Sequence, residues 1–487
     1  MKSDVKQIKQ NTNVGVEGVL WRALPFVALV VWGLLCITDQ LWYDEAFSAG
    51  LVMKPWKELI YITAVDDHSP FYYVVLKIFY HMTGGGTHFW TLKCFSLLFM
   101  IGYMFLGKYY VRKLFGMKVS VWFMAFSVLS PIMSVQAGNV RMYAIALFFM
   151  TLTGLLAYDL YREESRRKWI LFVMSSVCVV YCHSFAVIQA VWLYLLFMAA
   201  LIKSRQFGKL KKFFISGIIV SVVFSPWLLV TLKQLQLRML YDTGSATELA
   251  RFSAIWDYCR EWFSAVETPI DAVVVLGLLS AGILSVCAVG RLVKEGNYAP
   301  ILGVAAFVLT SATGFVISLF VNNCFMGRYA FPGFGFVVLL WAVGMSNIHK
   351  GVLKYGILAL MLGCFIAQYR IELALEYDGG LQKYRDFWQA NVKEGDAVIA
   401  PTGHAVFPGV YHPEGTYYLY GYVPVDLSFP NLNECYDLGQ LVRDKETVWY
   451  LCFKGDDPSD VEDGLEFREV FSFRYMYYEF VIYELLE

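Results

Sequence analysis

The sequence predicts a polytopic α-helical membrane protein with a small α/β domain at its C-terminal end, and three observations carry that prediction. Of 487 residues, 58% are hydrophobic and only 16% charged, where a soluble domain has about one-quarter charged. Mean hydropathy is +0.52, and apolar runs long enough for a bilayer, which takes roughly 17–25 residues, recur through the first three-quarters of the chain. From about residue 370 the composition turns polar, with turns such as KEGDAV, YHPEG and KGDDPSD.

Charge in the short loops threads the spans, because Lys and Arg mark the cytoplasmic side. Counting FYYVVLKIFYHMT (71–83) as a full span would send the basic loop KYYVRKLFGMK (108–118) outside. That run is short and carries Lys77, so it reads as a re-entrant or interfacial helix. The spans then fall at 19–38, 89–109, 119–136, 139–160, 168–183, 185–202, 213–232, 272–290, 299–321, 329–347 and 352–369. KYYVRKLFGMK, YREESRRK, IKSRQFGKLKK, GRLVKEG and HKGVLK become cytoplasmic, all with basic residues in excess. The result is a cytoplasmic segment 1–18, a membrane domain 19–369 with a first external loop 39–88, and an extracytoplasmic domain 370–487. The N-terminal apolar stretch has no small-residue cleavage site and reads as an uncleaved first span.

The last segment suggests a helix near 380–393 and strands at AVIA (397–400), VWYLCF (448–453) and YYEFVIYEL (477–485). The ten cysteines form no C-x-x-C pair. Cys94, Cys178, Cys287 and Cys364 lie in apolar runs as small hydrophobes. Cys435 and Cys452 lie in the polar region, where a disulfide between them is one option.

This threading gathers the unusual polar residues on one membrane face. The first external loop holds Asp44 and Glu45, then Asp66, Asp67 and His68. Arg141 and Tyr143 sit in SVQAGNVRMYA, His183 in YCHSFA, and Arg328 and Tyr329 in NNCFMGRYAFPG. Ionisable groups at a membrane boundary are costly unless paired or functional. Each also has a structural reading: the acids end a helix, His68 caps the helix begun by Ser69-Pro70, His183 is an interfacial histidine with a satisfied hydrogen bond, and the arginines reach to headgroups.

In their order, these residues resemble the GT-C superfamily of membrane glycosyltransferases, in the glycosyltransferase family 39-like branch of protein O-mannosyltransferases and bacterial lipid A aminoarabinose transferases. WYDEAFSAG matches the acidic motif of the first external loop. DDHSPFYYVVLKIF matches the D-x-HPP-type motif, with Ser69 at the first proline. GNVRMYAIAL matches the A-R-x-Y-A-type motif with different residues before the arginine, and GRYAFP matches R-Y-x-x-P. The resemblance covers about residues 20 to 350 and implies a GT-C fold of about eleven transmembrane helices.

It also implies extracytoplasmic, inverting transfer of a sugar from a polyprenyl-phosphate-linked donor to a glycolipid, polysaccharide or protein of the cell envelope. Asp44 would be the catalytic base, with Glu45 orienting the acceptor or neighbouring groups. Arg141, Arg328, Lys93 and His68 would bind the donor phosphate, while Asp67, Tyr143, His183 and Tyr329 line the cleft. Asp67 and His68 are alternatively a ligand pair for the divalent cation that some GT-C enzymes require. Tyr72, Tyr73 and Phe79 would lie against the lipid tail. No nucleic acid is expected as a partner. Competing readings are a flippase or exporter of polyprenyl-linked glycans and an O-antigen ligase- or polymerase-like enzyme. Acceptor choice falls to the loop 233–271 and the C-terminal domain.

Overall fold

The apolar runs form long helices because the bilayer leaves every backbone polar group to be satisfied within its own segment. The computed structural model describes residues 15–66, 68–241, 253–263, 271–320, 324–400, 406–420, 432–435, 437–455, 465–476 and 478–486. The first long helix, α1 (Val16–Cys36), is followed by three short ones, α2 (Tyr43–Met53), α3 (Trp56–Val65) and α4 (Pro70–Met82). Then come α5 (Trp90–Phe115), α6 (Met117–Leu129), α7 (Pro131–Gly138), α8 (Tyr143–Arg162), α9 (Arg166–Cys182) and α10 (Ser184–Lys203). The long α11 (Phe207–Tyr241) and short α12 (Ala254–Glu261) precede α13 (Asp271–Lys294), α14 (Ala299–Phe320), α15 (Gly327–Asn347) and α16 (Gly351–Glu376).

Among the described residues, nine helices are long and apolar enough to cross a membrane, or ten if α6 and α7 form one span. The predicted span 168–183 is the 17-residue α9, which completes the eleven predicted segments as helices. The segment predicted as one span at 119–136 instead bends by 71° between α6 and α7. Its cause is local: Pro131 disfavours helical torsions at the residue before it, and Ser130 takes ψ 117°. α11 also runs past the predicted end at 232. Its Gln234 amide donates to the carbonyl of Thr63 at 2.9 Å and to that of Asp66, holding the end of α3.

Two basic loops meet at the end of the bundle remote from α2. There the buried Asp159 at the end of α8 accepts from Lys113 at 2.8 Å, Lys168 at 3.0 Å and Tyr110 at 3.0 Å. α8 and α15 are the inner helices of the bundle. α15 packs on α13 so closely that a Cβ at Gly344 would lie 2.1 Å from the Leu284 carbonyl oxygen.

The chain leaves the bundle through α17 (Gly380–Asn391) into a six-stranded sheet. Its strands are β1 (Ala397–Ala400), β2 (Thr416–Tyr420), β3 (Leu432–Cys435), β4 (Val448–Phe453), β5 (Glu466–Tyr475) and β6 (Tyr478–Leu486). The order is β3-β2-β1-β4-β6-β5, parallel from β3 to β4 and antiparallel beyond. The helix α18 (Val406–Tyr411) connects β1 to β2, and α19 (Leu438–Asp444) connects β3 to β4. The helix and the strands expected from sequence therefore form. No disulfide joins Cys435 to Cys452. β2 and β1 lie between their strands, so the two are roughly 14 Å apart at the usual strand spacing, beyond the reach of a disulfide.

The contact at Gly344 gives a stability test. Gly344→Val should wedge α13 from α15 and destabilise the bundle by about 1–3 kcal/mol, seen as a lower melting temperature in detergent. An unchanged melting temperature would contradict this packing.

Candidate active site

The acids Asp44 and Glu45 occupy the first turn of α2, where unpaired backbone N–H groups and the helix dipole favour negative charge. Glu45 reaches back to accept the Trp42 N–H at 3.0 Å, and its other oxygen accepts the Val140 N–H at 2.8 Å. One buried carboxylate thus ties the start of α2 to the 139–142 turn between α7 and α8. Burial pushes its pKa up from 4.5 to about 7, against the opposing pull of Lys93 and of these two amides. Asn139 secures the same turn: its carbonyl accepts from Ser96 at 2.5 Å and its side-chain amide donates to Gln136 at 3.0 Å.

That turn carries Arg141, which is 4% exposed. Its guanidinium donates to Tyr73 Oη at 3.1 Å, to the Asp44 carbonyl at 3.3 Å and to His68 Nε2 at 2.6 Å. A guanidinium only donates, so Nε2 accepts and Nδ1–H faces Asp66 Oδ2, 2.5 Å away. The Asp44 carboxylate lies between two cations. Oδ2 is 3.9 Å from Arg141 Nε and 3.9 Å from Arg328 Nη1, too far for hydrogen bonds. Both arginine Nε groups are buried without a hydrogen-bond partner among the described residues. Arg328 stacks over Trp42 at 5.5 Å and over Tyr329 at 5.6 Å. His183 meets Tyr143 at 5.7 Å and Tyr329 at 5.4 Å.

The structure thus brings together Asp44, Glu45, His68, Arg141, Tyr143, His183, Arg328 and Tyr329. Lys93 is close enough to act on Glu45 but is buried and bonded to Glu376 at 2.7 Å and to Thr38 at 3.1 Å. Asp67 lies outside the described residues. His68 does not cap α4; Ser69 holds the cap position with Pro70 first in the helix. Tyr72 and Tyr73 do not face lipid, because this side of α4 turns inward and both rings are fully buried.

Lys77, which argued against a span, caps α2 by donating to the Val52 carbonyl at 2.7 Å and to that of Lys54. Sequence reasoning missed Glu261, which accepts the Arg328 N–H at 3.3 Å, and Glu376. Both sit in segments whose patterning is that of ordinary helix ends. A divalent cation does not fit His68 as it stands, since both ring nitrogens are engaged. Among the described residues no three His, Cys, Asp or Glu side chains converge as metal ligands.

No protein-family profile and no curated protein matches this sequence. Solved structures do. ArnT from Cupriavidus metallidurans bound to undecaprenyl phosphate superposes with a TM-score of 0.64 at 13% identity, covering 96% of this chain and 97% of ArnT. Its apo form gives 0.65 at 11% identity, with coverage of 96% and 97%. The chain has the GT-C fold. The oligosaccharyltransferase of Archaeoglobus fulgidus is more distant, at 0.43 and 13% identity over 80% of this chain and 61% of that one. The similarity to the ArnT fold runs beyond the bundle through the C-terminal sheet, since nearly all of both chains is covered.

Glu45 gives the site a pH signature. Ionisation is harder in the folded than in the unfolded chain, so its contribution to stability is full below pH 4.5 and is lost as pH rises through about 7. Glu45→Gln should flatten that slope in thermal unfolding. It should also cost about 1–3 kcal/mol, because an amide cannot accept both backbone N–H groups. A variant with the wild-type slope would exclude Glu45 as its source.

Proposed function

We propose that the protein transfers a sugar from a polyprenyl-phosphate-linked donor to a hydroxyl of a cell-envelope glycolipid, polysaccharide or protein, on the extracytoplasmic side with inversion. The observation that carries this reading is the Asp44 carboxylate between two guanidinium groups with unbonded Nε–H donors. Asp44 takes the acceptor hydroxyl's proton as that oxygen attacks C1 of the sugar. The bond from C1 to the phosphate oxygen breaks, and its electron pair leaves with the polyprenyl phosphate. Arg141 and Arg328 stabilise the negative charge that develops there. His68 acts through Arg141 by fixing one end of its guanidinium, and Glu45 by fixing the turn that carries it. His183, Tyr143 and Tyr329 form an aromatic wall suited to a sugar face.

ArnT, which shares this fold, holds undecaprenyl phosphate in its solved complex, and that supports the same lipid class here. A flippase reading is less well supported, because transporters gather polar groups near the bilayer midplane, whereas these sit at helix ends. The basic loops at the opposite end of the bundle support a cytoplasmic N-terminus and an extracytoplasmic C-terminal domain.

Asp44→Asn should abolish release of polyprenyl phosphate from lipid-linked sugar in membranes while expression stays normal. Near-normal turnover by this variant sinks the assignment of Asp44 as base. Arg141→Lys keeps the charge but loses the fork that meets Tyr73, His68 and the Asp44 carbonyl, so turnover should fall by about 100-fold or more. Equal rates for Arg141→Lys and wild type would leave Arg141 a structural residue.

A further inference from the structure

The segment between α1 and α2 has no regular structure, yet Gln40 and Leu41 in it are buried, and it leads directly into the turn that carries Asp44 and Glu45. Leu41 is fully buried, so its backbone polar groups need partners that the segment cannot supply itself. They come from the C-terminal domain, several hundred residues away in sequence. The Leu41 N–H points at Tyr475 Oη, 2.7 Å away, and at Tyr411 Oη, 3.0 Å away. Tyr475 returns its O–H to the Leu41 carbonyl at 2.7 Å, and Tyr411 gives its own to the Asp39 carbonyl at 2.8 Å.

Asp378, in the joint between α16 and α17, extends the brace. One oxygen accepts from the Gln40 side chain at 2.9 Å and from the Gly380 N–H at 2.8 Å. The other accepts the Met476 N–H at 2.8 Å, in the turn between β5 and β6. The end of β5 sits against the start of α17 so tightly that a Cβ at Gly380 would lie 1.9 Å from the Arg474 carbonyl oxygen. Arg385 pairs with Asp39 at 3.5 Å and covers the Tyr411 ring at 5.4 Å.

We infer that the C-terminal domain is a positioning element of the active site, with Tyr411, Tyr475 and Asp378 holding residues 39–42 in the register that aims Asp44 between its two arginines. This rests on the reading of Asp44 as base. Hydroxyl-bearing rings suit the task, since each donates to one carbonyl and accepts from an N–H at the same time. Removing the two hydroxyls leaves ring packing intact but strands a buried N–H and two carbonyls.

The test uses the full chain with Tyr411→Phe and Tyr475→Phe combined. Hydrogen exchange at the Trp42, Glu45 and Ala46 amides should rise about tenfold, the scale of one or two lost buried hydrogen bonds, while amides of β4 and β6 stay protected. Release of polyprenyl phosphate from lipid-linked sugar in membranes should slow by a similar factor through kcat, with KM unchanged. Unchanged exchange at those three amides overturns the inference, and so does a rise shared by β4 and β6, which reports unfolding of the domain. Asp44→Asn measured in parallel separates the two claims. If it abolishes release while the double variant does not slow it, the brace is wrong; if Asp44→Asn leaves release intact, the base assignment is wrong.

Discussion

Everything at this site is referred to the buried carboxylate of Glu45. A carboxylate away from water is costly unless its oxygens are satisfied, and Glu45 satisfies both with backbone N–H groups, one of them 95 residues away in sequence. That requirement joins the start of α2 to the turn after α7. Asp44 and Arg141 are the neighbours of those two anchor points, so their approach follows from Glu45 and not from attraction across 3.9 Å. The proposed reaction needs this arrangement. A base that formed a close ion pair with its arginine would be a poor proton acceptor, whereas a base held beside the arginine keeps its lone pairs.

The helices around the site serve the same geometry. The proline-induced break at Ser130 ends α6 early and lets α7 turn back into the protein. Arg141 therefore reaches Tyr73 and His68 under protein cover and not through lipid. Lys77 closes the other end of α2, and Gln234 closes α3. These short helices consequently have defined ends although they lie outside the regular bundle.

Much of this was legible in the sequence for a simple reason. Ionisable residues beside long apolar runs are rare, so Asp44, His68, Arg141, His183 and Arg328 stood out against their surroundings, and the loop charges put them on one face. Partners drawn from remote segments were not legible. Lys93 looked like a phosphate ligand at a helix end, but Glu376 meets it from 283 residues away. Tyr72 and Tyr73 read as lipid-facing because an aromatic helix at an interface has no sequence mark for which side turns inward. Lys77 argues against a span from its sequence position, yet its role as a cap depends on where α2 ends. The strands of the C-terminal sheet were visible from their composition; their contact with residues 39–42 was not, since isolated tyrosines in a strand and a short helix carry no sign of a distant backbone partner.

The pair of guanidinium groups beside Asp44 also has a consequence for the end of the catalytic cycle. In the proposed reaction the donor is a phosphodiester with a single negative charge, and the lipid product is a monoester that carries nearly two at neutral pH. The same arginines therefore grip the spent carrier more firmly than the substrate it came from. Turnover would then be governed by escape of the lipid into the bilayer, and accumulated carrier would throttle the enzyme from the membrane side.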